Sequence, residues 1–334
     1  MKTAILALTQ KGNKLATRLA SLLPEAEVIS GAGPVALAFG ENWQRYKGFV
    51  CIMATGIVVR SIAPLVRDKT TDPCVVVLDE KGRFAVSLLS GHLGGGNELA
   101  RQVAAILEGQ AVITTASDTQ ELTALDLWAR DNSLLVEDRA ALSRVSTRLV
   151  NQGNINVYCE GEPIEELPTD LIQVDGPEEA DMIVSFRQVV WGSDILVLRP
   201  VCLVVGIGCN RNTPAEEISN AIDELFRDNG LSPLSIRNLA SIDIKNDEPG
   251  LLEYGRRQEL PIEFYSKDEL NSVPGVIPSA AVLAATGAVG VAEPAALLSA
   301  STQKLLIRKR KWKNVTLAVA DSTLLAPALE VSTI

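Results

Sequence analysis

The feature that most constrains the fold is a repeated unit in which a short apolar strand runs through a loop into a helix. The first unit places a predicted strand at Thr3–Leu8 before a predicted helix at Asn13–Leu23, in which Leu15, Leu19 and Leu22 recur at helical spacing. Strands that alternate with helices form mostly parallel sheets with helices on both faces. The sequence therefore predicts an α/β fold of mostly parallel sheets flanked by helices.

The same alternation continues along the chain, but the length of the predicted strands and the composition of the turns change twice. The further strands predicted in the first 125 residues are Phe49–Met53, Cys74–Leu78, Arg83–Leu89 and Ala111–Thr115, the middle two as a hairpin. From Asp126 to Arg199 the strand candidates are short and separated by acidic turns, and from residue 200 the longer apolar strands return. We therefore expect an amino-terminal α/β domain at 1–125, a small acidic α/β middle or linker domain at 126–199 and a carboxy-terminal α/β domain at 200–334.

Charge is distributed unevenly and limits the classes of ligand. The net charge is -10, yet residues 1–100 hold 11 Lys and Arg against 8 Asp and Glu, whereas residues 101–200 hold 7 against 17. An acidic chain repels nucleic acid and anionic membranes at long range, so neither is expected as a partner. An anionic ligand is expected to meet the first hundred residues.

The cysteines and the apolar runs indicate a compartment. The five cysteines are odd in number and form no C-x-x-C pair, which is typical of reduced thiols and not of disulfides or a zinc site. No segment approaches the roughly 20 uninterrupted apolar residues of a membrane span. We expect a cytoplasmic protein without a membrane partner, and the sequence leaves a homodimer open.

Three loops of the first domain, at 54–56, 91–97 and 114–118, follow predicted strands and are expected to share one sheet edge, where ligands of parallel sheets gather. The loop from Ser90 to Glu98 carries three consecutive glycines, and Asn97 is expected to cap the following helix, so that free N–H groups face an anion or a developing oxyanion. The residues expected to contact the ligand in this domain are Thr55, Gly56, Arg60, Gly91, Gly94, Gly95, Gly96, Asn97, Ser117 and Asp118.

His92 lies inside this glycine-rich loop and is the only histidine of the chain. A histidine can act as a general base near neutral pH, which makes His92 the candidate catalytic group. The alternative is a histidine that only closes the turn by hydrogen-bonding to the backbone. A single histidine without neighbouring ligands makes a protein metal site unexpected.

A second glycine-containing loop, Gly206-Ile207-Gly208-Cys209, follows a predicted strand at Val201–Val205 and continues to Arg211. It resembles the first half of a dinucleotide fingerprint, but the third glycine of that pattern would fall at Arg211. A nucleotide-dependent oxidoreductase is therefore a weak rival. We expect Gly206, Gly208, Cys209 and Arg211 to form a second anion-facing site, and the basic run 308–311 to be a solvated turn.

The stretch from Phe49 to Asp118 resembles the amino-terminal domain of the cobalt-precorrin-5A hydrolase family, the ring-opening enzymes of anaerobic cobalamin biosynthesis. The resemblance is carried by MATGIVVRSIAPLVRDKTTDPCVVVLDEKGRFAVSLLSGHLGGGNELA and ITTASD. The last third is similar to the carboxy-terminal domain of the same family through VGIGCNRNTPAEEI, LASIDIKNDEPGLLE and PSAAVLAATG, and the middle section fits its connecting domain.

This resemblance implies a hydrolase that acts on a carbon–carbon bond. It would open the ring A acetate δ-lactone of a cobalt-corrinoid and release the meso carbon as acetaldehyde, giving cobalt-precorrin-5B. The cobalt would arrive inside the substrate, so no cofactor is expected.

For the roles of individual residues we expect His92 to activate water, the amides of residues 94–97 to stabilise the oxyanion, and Glu98 to orient His92 or to protonate the leaving fragment. Arg60 and Arg211 would hold substrate carboxylates. The alternative is a corrinoid-binding carrier without catalytic activity, in which His92 is structural.

Overall fold

The computed structural model describes residues 1–29, 33–68, 71–160, 166–188, 192 and 194–322. The chain forms two compact units, Met1–Leu127 and Trp128–Ile334. The first contains one sheet and the second contains two. The boundaries expected for three domains stay a prediction.

The first unit holds a six-stranded sheet in the order β2-β1-β3-β4-β5-β6. Its strands are β1 (Thr3–Ala7), β2 (Ala26–Val28), β3 (Gly48–Ile52), β4 (Cys74–Leu78), β5 (Phe84–Leu89) and β6 (Gln110–Val112). Its helices are α1 (Gln10–Ala20), α2 (Val35–Asn42), α3 (Thr55–Ile62), α4 (Gly96–Leu107), α5 (Ala116–Thr119) and the start of α6 (Leu125–Asp131).

Helices cover both faces of this sheet because its central strands are apolar on both sides. Helices α1 and α4 pack on one face, with Leu19 and Val103 fully buried against Val50 and Val76. Helices α2 and α3 pack on the other face around Phe39. The predicted strands and helices of this unit are present, with ends shifted by one to three residues.

The direction of β5 decides where the loops lie. Strands β1 to β4 are parallel, β5 runs antiparallel to β4, and β6 follows the direction of β5. The loop after β5 therefore lies at the sheet edge opposite to the loop after β3. In agreement, a Cβ at Gly95 would lie 3.9 Å from the sulfur of Met1, which stands just before β1. The expectation that residues 54–56 share an edge with residues 91–97 is wrong, because the predicted hairpin reverses the chain.

The second unit holds two five-stranded sheets, ordered β7-β11-β10-β8-β9 and β14-β13-β12-β16-β15. The first has strands β7 (Leu134–Val136), β8 (Ile155–Cys159), β9 (Leu171–Gln173), β10 (Met182–Val184) and β11 (Leu196–Pro200). The second has β12 (Leu203–Cys209), β13 (Ile236–Ile242), β14 (Ile262–Tyr265), β15 (Leu305–Lys311) and β16 (Val315–Asp321). The α-helices are α7 (Arg139–Gln152), α8 (Ala215–Asp228), α9 (Pro249–Arg257), α10 (Lys267–Ser272), α11 (Ala280–Thr286) and α12 (Ala292–Ser299).

The first sheet of this unit is mostly parallel, with one antiparallel pair at β7–β11 among the described strands. The second sheet is mixed: β12–β13 and β13–β14 are parallel, and β12–β16 and β15–β16 are antiparallel. Helices α8 and α9 cover one face of the last sheet, and α10 and α12 pack against the other. The predicted fold class is confirmed. In the described part of the chain no helix is long and apolar enough to cross a membrane.

One prediction for this unit is wrong. The basic run 308–311 lies inside β15 and is not a turn. Its Arg310 packs over the Trp312 ring and forms ion pairs with Glu224 and Asp228 of α8. A charged residue of this edge strand thus pairs with a helix distant in sequence, and the sequence pattern does not reveal that pairing.

Candidate active site

His92 is held between two carboxylates in the first unit. Its Nε2 lies 2.8 Å from Oδ2 of Asp118, and its Nδ1 lies 3.6 Å from Oδ1 of Asp126. The three side chains are each 16 to 19% exposed. The loop after β5 supplies His92, α5 supplies Asp118 and α6 supplies Asp126, so three separate segments build the cluster. Of the two contacts, only the one to Asp118 has the length of a hydrogen bond.

Asp118 is the centre of the hydrogen-bond network. Its Oδ2 also accepts from the Nδ2 of Asn97 at 2.9 Å, and its Oδ1 accepts from the guanidinium of Arg101 at 2.5 Å. Burial raises the pKa of Asp118, but the hydrogen bonds and positive charges of His92 and Arg101 outweigh burial, so the pKa lies below its usual value. Asp118 is therefore a carboxylate at neutral pH and only accepts hydrogen bonds.

The charge state of Asp118 fixes the tautomer of His92. Because a carboxylate can only accept, the proton of the His92–Asp118 bond sits on Nε2. In the neutral imidazole, Nδ1 then carries the free lone pair. Asp126 lies too far from Nδ1 for a hydrogen bond but close enough to stabilise an imidazolium by charge. The arrangement is that of a histidine base with an orienting carboxylate on its far nitrogen.

The glycine-rich loop is closed by its own hydrogen bonds. The amide of Gly95 donates to the carbonyl of His92, that of Gly96 to Ser90, and that of Asn97 to Gly91, at 2.8 to 3.1 Å. The expected oxyanion donors at residues 95–97 are therefore already used, whereas the Gly94 amide has no acceptor among the described residues. These glycines shape the loop around His92.

Gly91 shows why the loop needs a residue without a side chain. A Cβ at Gly91 would lie 2.6 Å from Oδ1 of Asn97, which is closer than real contacts allow. Asn97 is only 4% exposed and donates to both Thr115 and Asp118. The expectation that Asn97 caps the helix is wrong, because Gly95 occupies the cap position of α4 and Asn97 lies inside the helix.

Glu98 does not contact His92. Its carboxylate is 64% exposed, accepts from the Gln102 side chain at 3.0 Å and lies 3.9 Å from Arg101. The expectation that Glu98 orients His92 is therefore wrong, and Asp118 takes that position. A role of Glu98 toward the leaving fragment stays a prediction. Ser117, also predicted, places its Oγ 3.4 Å from Nε2 of His92.

Sequence reasoning missed Asp126, Arg101 and Ser90. Asp126 and Arg101 stand nine or more residues from His92 in sequence, and no motif marks them. Ser90 has a φ of +52°, and its hydroxyl is buried without a hydrogen-bond partner among the described residues. Strained residues of this kind collect at functional sites, and a serine with positive φ directly after a strand is the signal that could have been noticed.

The predicted residues Thr55, Gly56 and Arg60 lie elsewhere in the first unit. Thr55 lines a cleft of about 640 Å³ whose charged residues are Asp79 and Glu80, so the cleft is unsuited to a carboxylate ligand. The Arg60 guanidinium turns back onto its own helix and donates to the Gly56 carbonyl at 2.9 Å. The structure does not bring Thr55, Gly56 and Arg60 to His92.

In the second unit, Gly206 is required by packing. A Cβ at Gly206 would lie 1.9 Å from the carbonyl oxygen of Ala292, so the glycine lets α12 press against β12. This close contact explains the glycine without a dinucleotide. Gly208 and Cys209 line a cleft of about 440 Å³, and burial raises the pKa of the Cys209 thiol to about 11.

Arg211 is engaged within the protein. Its guanidinium pairs with Asp247 and donates to the Ile244 carbonyl at 2.9 Å. Glu248, which has no exposed side-chain surface, lies 3.6 Å from it. The hydrogen bond to Asp247, with the charges of Asp247 and Glu248, raises the pKa of Arg211. A guanidinium with these partners ties two loops together, which argues against its expected role as a free carboxylate clamp.

Comparison with known proteins identifies the family. Models for the cobalamin synthesis G amino-terminal region, the cobalamin biosynthesis central region and the cobalamin synthesis G carboxy terminus match residues 38–118, 123–200 and 203–320. The cobalt-precorrin-5A hydrolase of Priestia megaterium is 34% identical over 95% of this chain and 94% of that protein. This chain belongs to the cobalt-precorrin-5A hydrolase family.

A second relative and one solved structure are also similar to this chain. The cobalt-precorrin-5A hydrolase of Salmonella typhimurium is 34% identical over 90% of this chain and 93% of that protein. A crystal structure of a cobalamin biosynthesis protein G homologue from Sulfolobus solfataricus covers 96% of this chain and 97% of its own, at 22% identity and a TM-score of 0.37. The three-part layout of the family matches the predicted layout of this chain.

The side chains around His92 indicate the kind of chemistry that this cluster can support. No group of three His, Cys, Asp or Glu side chains in the described residues is arranged to hold a metal ion. The cluster instead offers a histidine lone pair, one carboxylate locked by three hydrogen bonds and a second carboxylate 3.6 Å from the ring that is not hydrogen-bonded to it. That set suits proton transfer to and from water.

Proposed function

We propose that this chain is a cobalt-precorrin-5A hydrolase. It opens the ring A acetate δ-lactone of its cobalt-corrinoid substrate, releases the methylated meso carbon as acetaldehyde and leaves cobalt-precorrin-5B. The support is the extent of the similarity, since two relatives with this name are 34% identical over 90 to 95% of the chain. Those relatives are named as enzymes, which favours the hydrolase over the carrier.

Hydrolysis of the lactone, the first step, needs a base that activates water, and His92 is the proposed base. In the proposed mechanism its Nδ1 takes a proton from water as the oxygen attacks the lactone carbonyl, while the Nε2 proton stays on the hydrogen bond to Asp118. Asp126, 3.6 Å from Nδ1, stabilises the imidazolium that forms. Collapse of the tetrahedral intermediate frees the acetate as a carboxylic acid and leaves an alkoxide on the meso carbon. The proton of the acid passes to the alkoxide, which gives a carboxylate and a hydroxyl.

The second step breaks a carbon–carbon bond. The meso hydroxyl gives up its proton to solvent and becomes the carbonyl of acetaldehyde. The electron pair of the broken bond stays on the macrocycle, where the carbon picks up a proton. One water is consumed, and neither an oxidant nor a reductant is needed. His92, now an imidazolium, is the proposed donor of the returning proton. The Gly94 amide, free of loop hydrogen bonds, is the proposed donor to the oxyanion of the first step.

The single observation that carries this mechanism is the 2.8 Å bond between His92 Nε2 and an ionised Asp118. A histidine that only closed a turn would bond to backbone, whereas this ring meets two carboxylates from other segments. Cytoplasmic location is part of the proposal, because Cys51 and Cys74 are buried free thiols whose pKa values are raised by burial. The cobalt is proposed to belong to the substrate.

The test mixes the purified protein anaerobically with cobalt-precorrin-5A and traps any aldehyde, with His92→Ala and His92→Gln alongside. Acetaldehyde from wild type and none from either variant would support both the reaction and its base. Aldehyde from all three would keep the reaction and remove the role of His92. Binding without any aldehyde from wild type would contradict the hydrolase and support the carrier.

A further inference from the structure

The second unit contains a cleft that the proposed chemistry does not use. It has a volume of about 440 Å³ and lies at the carboxyl ends of β12 and β13, between α11, the start of α12 and the β15–β16 hairpin. Clefts of this size and place are the usual ligand sites of open α/β sheets. All of its lining residues fall within 208–316, inside the second unit.

One wall of this cleft is basic. Lys309, Lys311 and Lys313 alternate along the end of β15 and the following turn, and all three line the cleft. The Nζ of Lys309 lies 3.9 Å from the carboxylate of Glu293 and donates to the Ile277 carbonyl at 3.3 Å. Lys311 and Lys313 are exposed and form no ion pair among the described residues.

The charge of this wall is therefore not cancelled locally. Lys245 also lines the cleft, but its ammonium is paired with the fully buried Glu248 at 2.9 Å. The only acidic side chain on the lining is Glu293, which faces Lys309. Two lysines thus remain free in a part of the chain, 201–334, where 16 acidic residues outnumber 13 basic ones. Such a local excess of positive charge favours an anion.

The opposite wall is apolar and unusually exposed. It is formed by α11, with the sequence AAVLAAT, and none of the residues of this helix is buried. Ala281, Val282 and Ala285 line the cleft, and Leu283 on the same helix is 47% exposed. Only Val282 of this helix packs against the core. A helix that is apolar all round normally packs into a core, so an apolar helix that leaves most of its side chains exposed indicates a surface kept for a ligand.

We propose that this cleft binds a macrocyclic ligand that is apolar on its face and carries carboxylates on its rim. The macrocycle would rest against α11, and its carboxylates would meet Lys311 and Lys313. The identity of the ligand rests on the proposed function: a cobalt-corrinoid with free acetate and propionate arms has this combination of apolar ring and anionic rim. The cleft holds one edge of the ring with its arms.

The test measures binding and not turnover. Cobyrinic acid, a stable cobalt-corrinoid with free carboxylates, and its uncharged heptamethyl ester are titrated by calorimetry into the full-length protein. We expect the wild type to bind the acid and to bind the ester more weakly. Lys311→Glu and Lys313→Glu should each weaken binding of the acid by about fivefold or more, because an attractive contact becomes a repulsive one.

Two further variants make the result specific. Lys304→Glu changes the charge equally at an exposed lysine outside the cleft and should keep the wild-type Kd. Lys311→Arg preserves the charge and should also bind the acid. Thermal unfolding of each variant checks that it is folded.

The outcomes separate this proposal from the reaction. Wild-type affinity in both cleft Lys→Glu variants, or no binding of the acid by wild type, would overturn the cleft proposal even if acetaldehyde is produced. Lysine-dependent binding in a protein that produces no acetaldehyde would leave the cleft proposal standing while the hydrolase assignment fails. An equal loss in Lys304→Glu would show general charge repulsion and would also overturn the proposal.

Discussion

Asp118 Oδ2 lies 2.8 Å from His92 Nε2, and this bond joins the segments that follow two neighbouring strands, β5 and β6. Hydrogen bonds from His92 and Arg101 lower the pKa of Asp118 and keep it ionised, and the bonds from Asn97 and Arg101 leave its carboxylate little freedom to turn. Nε2 of His92 is thereby fixed as a hydrogen-bond donor, and Nδ1 keeps the lone pair that can accept a proton.

Asp118→Asn should lower acetaldehyde formation by about 10² to 10⁴-fold, the range that a misplaced general base costs. The amide keeps the shape of the side chain, but its NH₂ group can donate to Nε2 and so favour the wrong tautomer of His92. The measurement is turnover under saturating cobalt-precorrin-5A. Asp131→Asn removes a comparable carboxylate from an exposed ion pair with Arg130 and should leave turnover unchanged. Turnover of the Asp118 variant within threefold of wild type would contradict the orienting role.

Asp118 should also affect how the free energy of unfolding depends on pH in the acid range. The pKa of Asp118 in the folded protein lies below its ordinary value of 3.8, so the unfolded chain binds more protons at acid pH. Its stabilising effect is complete above the unfolded pKa and is lost as the pH falls through the folded one. Urea unfolding from pH 6 down to the acid limit should show a steeper acid loss for wild type than for Asp118→Asn. Parallel curves would contradict the lowered pKa.

Arg101 is expected to act through Asp118. Its guanidinium is half exposed, so its removal should cost little stability, by analogy with surface pairs of about 0 to 1 kcal/mol. Arg101→Gln should instead raise the pKa of Asp118 and move the acid limb of the kcat/KM profile to higher pH. A matched Arg130→Gln should leave the profile in place. An unchanged acid limb in the Arg101 variant would show that Arg101 has no effect on this carboxylate.

The sequence pattern could predict the strand and helix types of the first unit because its apolar strands are bounded by turn residues. It could also single out His92, Ser117 and Asp118, because the glycine-rich loop and the loop after β6 both follow strands. Residues 54–60 were placed at the wrong edge although the predicted hairpin of β4 and β5 already reverses the chain, so that the loop after β5 lies opposite to the loop after β3.

Individual side-chain partners were harder still. Asp126 reaches His92 from a helix 34 residues away, and nothing in its local sequence distinguishes it from other acidic helix starts. Arg211 was expected to hold a substrate carboxylate, but Asp247 pairs with it from a loop 36 residues further on. Such contacts form because segments distant in sequence pack close together, and the periodicity of apolar residues does not predict which segments do so.

Gly206 and Gly208 offer a direct comparison of packing and ligand roles. Gly206→Ala should destabilise the protein by about 1 to 3 kcal/mol, because the new Cβ would lie 1.9 Å from the Ala292 carbonyl oxygen and α12 would have to move. Gly208→Ala meets only ordinary contact with Val291 at 3.6 Å and should be tolerated. Urea unfolding of both variants measures this difference. Equal stability of the two would contradict the packing explanation.

Lys245 should prove more important for stability than for chemistry. Its ammonium donates to Glu248, which has no exposed side-chain surface and also accepts from the Asn212 amide at 2.6 Å. Lys245→Met leaves that carboxylate buried beside only the more distant Arg211, and breaking a buried pair costs about 3 to 5 kcal/mol. The double variant Lys245→Met with Glu248→Gln removes the stranded charge while its amide oxygen can still accept from Asn212. It should therefore recover much of the loss in urea unfolding, and a double variant no more stable than Lys245→Met would contradict the buried-charge explanation.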